Sequence, residues 1–211
     1  LTFDKHEYVK FINSLNIKTA KQFFIKKGDI YNIDDIIEKV DIPCFVKPNK
    51  SGSSFGISKV TSKDDLNEKI HYAFQEGDEV LVESFLDGKE VSVGVINIDG
   101  KRTILPITEI ISKNEFFDFD AKYNGESEEI TPGVLSANEL DDIHIMINTI
   151  YDNINLSGIT RSEIILVHGV PHLLETNTIP GFTKQSIVPQ QIKAAGLSIN
   201  QIVESQIKSL L

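Results

Sequence analysis

Cysteine is nearly absent from this 211-residue chain: Cys44 stands alone, which excludes a disulfide framework and a zinc site built on thiolates. No apolar run approaches the roughly 20 residues that carry a helix across a bilayer. The opening residues also lack the basic-then-apolar arrangement of a signal peptide. The five histidines (His6, His71, His144, His168 and His172) never fall into an HExxH pattern. His168 and His172 flank a Gly-Val-Pro turn and read as solvated hairpin residues rather than ligands. There is no surplus of positive charge, because 21 Lys and Arg face 31 Asp and Glu, leaving −10. That balance argues against a nucleic-acid or anionic-membrane partner. It leaves room for a nucleotide, whose phosphates need only a few local lysines. Internal repeats and low-complexity stretches are missing as well.

What is present is ordinary for a soluble globular chain, with 40% hydrophobic and 25% charged residues. The order of elements predicts an α+β fold. Phe3-Asp4-Lys5 leads into a helix with Val9, Ile12 and Leu15 on its apolar side. A strand at Gln22–Ile25, a helix at Ile33–Val40 and a buried strand at Cys44–Lys47 between two prolines follow. Ser62 with Asp65 opens the next helix, and Gly77 closes it. Strands are expected at Glu79–Ser84 and Lys89–Ile98, and from Lys101 after the Asp99-Gly100 turn.

Lys113 to Pro132 has little apolar periodicity and reads as a long irregular loop, a kind that is usually functional or disordered. Its charge (Lys113, Glu115, Asp118, Asp120, Lys122, Glu126, Glu128, Glu129) suits a lid that orders only over a ligand. Ser136 and Glu139 form a capping box for a helix with the stripe Leu140, Ile143, Ile147, Ile150 and Ile154. A hairpin, Ile164–Val167 with His172–Thr176, turns at His168-Gly169. Two amphipathic helices end the chain. A seam near Asn97 to Thr108 divides a smaller lobe, 1–97, from a larger one, 98–211.

Four segments carry candidate chemistry. In Leu174-Glu175-Thr176-Asn177, residues i and i+2 of a strand share a face, so Glu175 and Asn177 present oxygens side by side where a hard cation can be held. Pro180-Gly181 then stops the strand; a strand edge with a polar turn has the same pattern. Lys47-Pro48-Asn49-Lys50-Ser51-Gly52-Ser53-Ser54-Phe55-Gly56-Ile57 is rich in small residues, whose backbone amides can wrap an anion. It lacks the Gly-Lys-Ser/Thr of a Walker loop and also fits a flexible hairpin. Glu79 to Glu90 is a strand ending on Glu83, a turn, and a second carboxylate. Its Glu83–Leu86 backbone edge could pair with a purine and Glu90 with ribose, or the segment is a hairpin with solvated acids. Arg161 and Glu163 share a face of the strand expected to pair with Glu175, a combination that serves metal and developing negative charge or a plain cross-strand salt bridge.

Together and in this order, these segments resemble the ATP-grasp superfamily, and within it the D-alanine–D-alanine ligases. The resemblance runs over essentially the whole chain. It starts at Phe3-Asp4-Lys5 and passes through Val46-Lys47-Pro48, Gly52-Ser53-Ser54-Phe55-Gly56, Val82-Glu83 and Gly88-Lys89-Glu90. Asp120-Ala121-Lys122-Tyr123 and Gly158 to Glu163 follow, then Glu175-Thr176-Asn177-Thr178-Ile179-Pro180-Gly181 with Thr183 and Ser186.

The resemblance implies two α+β lobes sandwiching ATP. It implies that Lys5 and Lys47 hold phosphates, that Glu83 with the Ser84, Phe85 and Leu86 backbone holds adenine, and that Glu90 binds ribose. Glu163, Glu175 and Asn177 would ligate two Mg2+ ions, with Mn2+ as a substitute. Ser53, Lys122 and Tyr123 would come from loops closing over the reacting groups. Arg161 and the Gly181 amide would stabilise a tetrahedral intermediate, and Ser186 would bind the second substrate's carboxylate, with Ile187 beside it. The implied reaction phosphorylates one D-alanine and attacks the acyl phosphate with the amine of a second, for peptidoglycan precursor synthesis in the cytoplasm. A homodimer is implied for the full-length protein, with neither nucleic acid nor membrane as partner.

Two departures stand out. The family has aspartate where this chain has Glu163, which should weaken rather than abolish Mg2+ binding. Family members also carry an N-terminal domain ahead of the first lysine motif, so the chain is expected to be a fragment of a longer protein. The alternatives are a nucleotide-binding module without turnover, or a ligase for D-lactate or D-serine. Tyr123 argues against D-lactate.

Overall fold

A computed structural model describes residues 1–52, 55–112 and 127–208. The chain forms two compact units that divide at Asp87/Gly88. This is upstream of the expected seam. The strand Lys89–Ile98 pairs with three others in the second unit's sheet and cannot be parted from it.

The first unit contains α1 (Lys5–Ser14), β1 (Gln22–Lys26), α2 (Ile33–Val40), β2 (Cys44–Pro48), β3 (Ser58–Val60), α3 (Lys63–Ala73) and β4 (Glu79–Ser84). The four strands form an antiparallel sheet in the order β1-β4-β2-β3. Period-two alternation sorts its faces. Cys44, Val46, Val60, Val80 and Val82 turn towards Ile36 and Val40 of α2 and Leu66 and Ile70 of α3, and all are buried. The opposite face carries Gln22, Phe24, Phe45, Lys47, Leu81 and Glu83, aligned in rows by the register. Cys44 is buried, and desolvation pushes its thiol up to about 11, so it serves as a small core residue rather than a nucleophile. Asp4 caps α1 by accepting from the Glu7 N–H. Ser62 caps α3 through Asp64, not Asp65, and α3 stops at Ala73, short of Gly77.

The second unit holds β5 (Lys89–Ile98), β6 (Lys101–Ile104), β7 (Thr108–Ser112), β8 (Ser127–Ile130), α4 (Ala137–Ile154), β9 (Ile159–Val167), β10 (Val170–Asn177), α5 (Ile187–Ala194) and α6 (Ile199–Lys208). Its antiparallel sheet runs β10-β9-β5-β7-β8, with β6 also paired to β5. The Ser136/Glu139 capping box is present. The stripe of α4 buries Ile143, Ile147 and Ile150 together with Met146 and Tyr151, and the Tyr151 hydroxyl meets Thr160 of β9. On the other face, Ile96 and Leu105 pack with Val188 and Ile192 of α5 and Ile202 of α6. The His168-Gly169 turn has positive φ at both residues, as a two-residue hairpin with right-handed twist needs.

Residues 127–130, expected as part of an irregular loop, form β8 on β7. An edge strand needs no apolar alternation, because charged side chains there keep the edge solvated; Ser-Glu-Glu-Ile therefore hides from a periodicity search. The expected lid otherwise falls on residues 113–126, outside the described residues.

β5 admits α5 at one point. A Cβ on Gly94 would lie 2.2 Å from Gln191 Oε1 and 3.0 Å from Leu105. Gln191 is fully buried and donates to the Ser92 carbonyl (2.8 Å) and the Thr108 hydroxyl (3.0 Å). Gly94→Ala must push Gln191 off these acceptors and should cost about 2 kcal/mol or more in urea unfolding. Gly77→Ala, with nothing within 4 Å of its added Cβ, is the control. Equal stability of the two variants would show that α5 is not locked onto β5.

Candidate functional site

Each unit contributes one cluster of the residues singled out by sequence. In the first, Lys47 of β2 and Glu83 of β4 lie on the sheet face away from α2 and α3. Their side chains are paired at only 11% and 8% exposure. Gln22 of β1 donates to the other Glu83 oxygen at 2.6 Å. Both carboxylate oxygens are thus engaged, and Lys47 is fixed by a partner on the neighbouring strand. This meeting depends on the β2/β4 and β1/β4 registers, which single-strand patterns do not reveal.

The Glu83–Leu86 backbone edge is less open than expected. The Ser84 N–H donates to Lys21 O (3.0 Å) and the Phe85 N–H to Pro43 O (3.2 Å). Leu86 is the position whose N–H finds no backbone acceptor among the described residues. Phe85 lies 6.1 Å from Phe45 by ring centroids and has the Lys59 ammonium 4.8 Å over its ring, an apolar wall with a positive rim. Lys5, in the first turn of α1, donates to Asn49 O (3.3 Å) and Ser51 O (2.7 Å) of the Gly/Ser-rich segment. Ser53 lies outside the described residues, as do Lys122 and Tyr123.

The second cluster is built by the β9–β10 ladder. Glu175 stands opposite Glu163 and Asn177 opposite Arg161, so all four share one face. β5 adds Glu90, one row along and opposite Ile165. Glu129 of β8 belongs to the same row through Ile110; with Gln22, it is a residue the sequence reading did not assign to a site. Arg161 is in ion-pair contact with Glu163 Oε1. Both Glu163 oxygens are buried, and Oε2 has no hydrogen-bond partner among the described residues. Burial works against the Arg161 charge, but Glu163, Glu175 and Glu129 more than offset it and hold its pKa up.

A hard divalent cation fits this arrangement. Buried carboxylate oxygens without partners are costly unless something meets them, and Glu175 supplies a second carboxylate directly across the ladder. Asn177 donates to Glu175 Oε1 at 3.2 Å, and a half-turn of its amide presents the oxygen to a cation instead. Among the described residues no group of three Asp, Glu, His or Cys side chains could hold a metal. Two carboxylates and an amide suit Mg2+, which keeps waters and phosphate oxygens for its remaining positions.

Beyond β10, Gly181 approaches Ser186, whose Oγ would be 3.0 Å from an added Cβ. Ser186 precedes α5 but makes no side-chain cap. Its hydroxyl accepts from the Thr183 N–H (3.1 Å) and bonds the Thr183 hydroxyl (3.0 Å). The first turn of α5 is left without that cap, a place where an anion is favoured. The Ile187 side chain is buried at 4% exposure, so only its backbone N–H can serve a ligand there.

Burial raises the Glu129 pKa, and Glu163 adds to the shift, while the Gln190 hydrogen bond (2.8 Å) and Arg161 pull it back. A raised carboxyl favours folding where it is protonated and loses that advantage as pH climbs through its folded value. In metal-free buffer, Glu129→Gln should therefore melt higher than wild type near neutral pH, the gain vanishing below about pH 4. A variant that is less stable at every pH would show that the Glu129 charge is well paired by Arg161.

A family model described as "D-ala D-ala ligase C-terminus" matches residues 11–208. The D-alanine–D-alanine ligase of Flavobacterium johnsoniae is 48% identical over 99% of this chain and 64% of its own length, so the chain spans just under two thirds of that curated relative. Among solved structures, the VanG D-Ala:D-Ser ligase from Enterococcus faecalis superposes with a TM-score of 0.84 at 32% identity, covering 99% of this chain and 61% of that one. A D-alanine–D-alanine ligase from Bacillus anthracis complexed with ATP superposes with a TM-score of 0.82 at 26% identity, over 99% and 67%. The antiparallel sheets and helices are thus those of the ATP-grasp fold, and the chain belongs to the D-alanine–D-alanine ligase family.

Proposed function

We propose that this chain is the nucleotide- and metal-binding part of an ATP-dependent ligase that joins two D-alanines through an acyl phosphate, in peptidoglycan precursor synthesis. The observation that carries this reading is Glu163, buried with Arg161 on Oε1, with no hydrogen-bond partner for Oε2 among the described residues and with Glu175 opposite it across the ladder. A plain salt bridge with Arg161 leaves Oε2 and the Glu175 carboxylate unmet. D-alanine is preferred as acceptor because the curated relative named for it is 48% identical, against 32% for the D-serine-joining structure. The reading brings with it a cytoplasmic setting, where ATP is supplied, and a homodimer of the whole protein.

In this mechanism Glu163, Glu175 and Asn177 would hold two Mg2+ ions, whose charge would neutralise the phosphates during transfer. Lys47, braced by Glu83 and Gln22, and Lys5 present ammonium groups to phosphate oxygens. Glu83 and the Leu86 N–H orient adenine, and Glu90 accepts from ribose. The reaction needs positioning and charge balance rather than a covalent role for the protein. Arg161, kept charged by its three carboxylates, is assigned to stabilise the tetrahedral oxyanion that forms when the amine attacks the acyl phosphate. The Gly181 N–H gives a second donor for that oxygen. The second D-alanine's carboxylate is assigned to Ser186 and the Ile187 N–H. Ser53, Lys122 and Tyr123 complete the proposed set.

Calorimetry with the β,γ-imido analogue of ATP should show binding that requires Mg2+ and disappears with chelator. Glu175→Gln in the whole protein should keep the fold and lower turnover about a hundredfold or more. Turnover within a few-fold of wild type would return Glu175 to a solvated strand end. Tight, metal-dependent binding without any ligation of D-alanine would favour a nucleotide-binding module instead.

A further inference from the structure

The first unit contains a buried polar node that the roles above leave unused. Asn49 is 1% exposed, and its side chain makes three hydrogen bonds to two separate stretches of chain. Its Oδ1 accepts from the His6 N–H at 2.8 Å. Its Nδ2 donates to Asp4 Oδ1 at 2.9 Å and to Glu79 Oε2 at 2.8 Å. The backbone joins in: the Asn49 N–H donates to Glu79 O (2.8 Å), and the Asn49 carbonyl accepts from Lys5 Nζ (3.3 Å). Two residues on, Ser51 O accepts from the same ammonium at 2.7 Å.

The chemistry of this node is specific. The first N–H groups of a helix have no partner within it. In α1 the Glu7 N–H is met by Asp4, but the His6 N–H is met by Asn49, 43 residues away. Lys50 closes the node from outside through Asp4 (3.2 Å) and Glu79 (2.9 Å). Lys50 and Asn49 together hold the Glu79 carboxyl below the usual carboxylate range, so it stays charged at the node. The start of α1, the end of β2 and the start of β4 are thereby pinned at one amide. Lys5 leaves from the pinned helix start and lands on the segment that Asn49 opens.

We propose that Asn49 is a positioning residue for nucleotide binding. It fixes the Lys5 ammonium against the Asn49 and Ser51 carbonyls, so that the ammonium meets a phosphate already in place. This rests on the reading of Lys5 as a phosphate-holding group. An amide is needed because one side chain must donate to two carboxylates and accept from a backbone N–H. Aspartate would set a third negative charge beside Asp4 and Glu79, and leucine would orphan all three partners.

The test is a double-mutant cycle in the whole protein, read by calorimetry with Mg2+ and the β,γ-imido analogue of ATP. Asn49→Ala should weaken the analogue by about tenfold and raise KM for ATP, with KM for D-alanine unchanged. Lys5→Ala should weaken it as well. Because Asn49 acts through Lys5, the double variant should bind no worse than Lys5→Ala alone. Additive losses, or an equal rise in both KM values, overturn the inference in favour of a structural staple. Should Asn49→Ala fail to fold, Asn49→Ser, which keeps an acceptor for the His6 N–H, carries the same cycle. Binding that depends on Lys5 but not on Asn49 overturns this inference alone. A wild-type protein that does not bind the analogue overturns the ligase reading with it.

Discussion

In the β9–β10 ladder, Leu173 stands opposite Ile164 and Glu175 opposite Glu163, which leaves Leu174 without a partner. Successive strand residues alternate faces, so one unpaired residue changes what the rest of the strand presents. With an unbroken ladder, Leu174 would face Glu163 and Glu175 would face Ser162, on the side covered by α4. Both Glu175 and Asn177 would then point into apolar packing. The bulge instead puts them beside Glu163 and Arg161, and sends Thr176 inward to a buried 2.9 Å bond with Ser162. Every proposed step on the second unit depends on that register.

The face so assembled is poorly satisfied in isolation. Glu163 Oε2 is buried with no hydrogen-bond partner among the described residues, one arginine serves several carboxylates, and burial drives Glu129 towards its neutral form. A buried charge with an incomplete partner is destabilising, and a well-packed apolar pair of similar volume would often be better. The rigid support lies on the opposite side, where α4 seals Ile143, Ile147, Ile150 and Tyr151 against the sheet. The first unit handles its charges differently. Glu83 has both oxygens engaged, by Lys47 and Gln22, and Asn49 satisfies three partners at once. One cluster is preorganised by internal bonds; in the other, several carboxylates crowd one arginine.

Much of this was legible in the sequence, for definite physical reasons. Cys44 to Lys47 and Glu79 to Ser84 are short apolar runs bounded by prolines or by acids, the pattern of central strands covered on both faces, and both strands are found there. The Ser136/Glu139 box marks the start of α4 because capping is local chemistry. The shared face of Glu175 and Asn177 follows from i, i+2 alone. Partners across strands did not follow. That Lys47 meets Glu83, or that Glu175 meets Glu163, depends on registers and a bulge that no single strand encodes. Three polar residues and one isoleucine, Ser127 to Ile130 on an edge, gave no period at all, which hid β8 and with it Glu129. The Ser84 and Phe85 amides looked open because their acceptors, Lys21 and Pro43, come from elsewhere in the chain. Ile187, expected beside the second substrate, has a buried side chain and offers its N–H there.

The central claim is that the bulge-aligned face of Glu163, Glu175 and Asn177 receives the divalent cation that accompanies a nucleotide. Nuclear magnetic relaxation of the isotopically labelled protein with Mn2+ and the β,γ-imido analogue of ATP reads the ion's position directly. The account predicts the largest paramagnetic enhancement at the amides of Glu163, Glu175 and Asn177, declining through the sheet towards Ile143 and Ile147 of α4, and reversed by excess Mg2+. Enhancement centred on the exposed acids of α4, Asp141 and Asp142, or spread evenly over the surface, would contradict it.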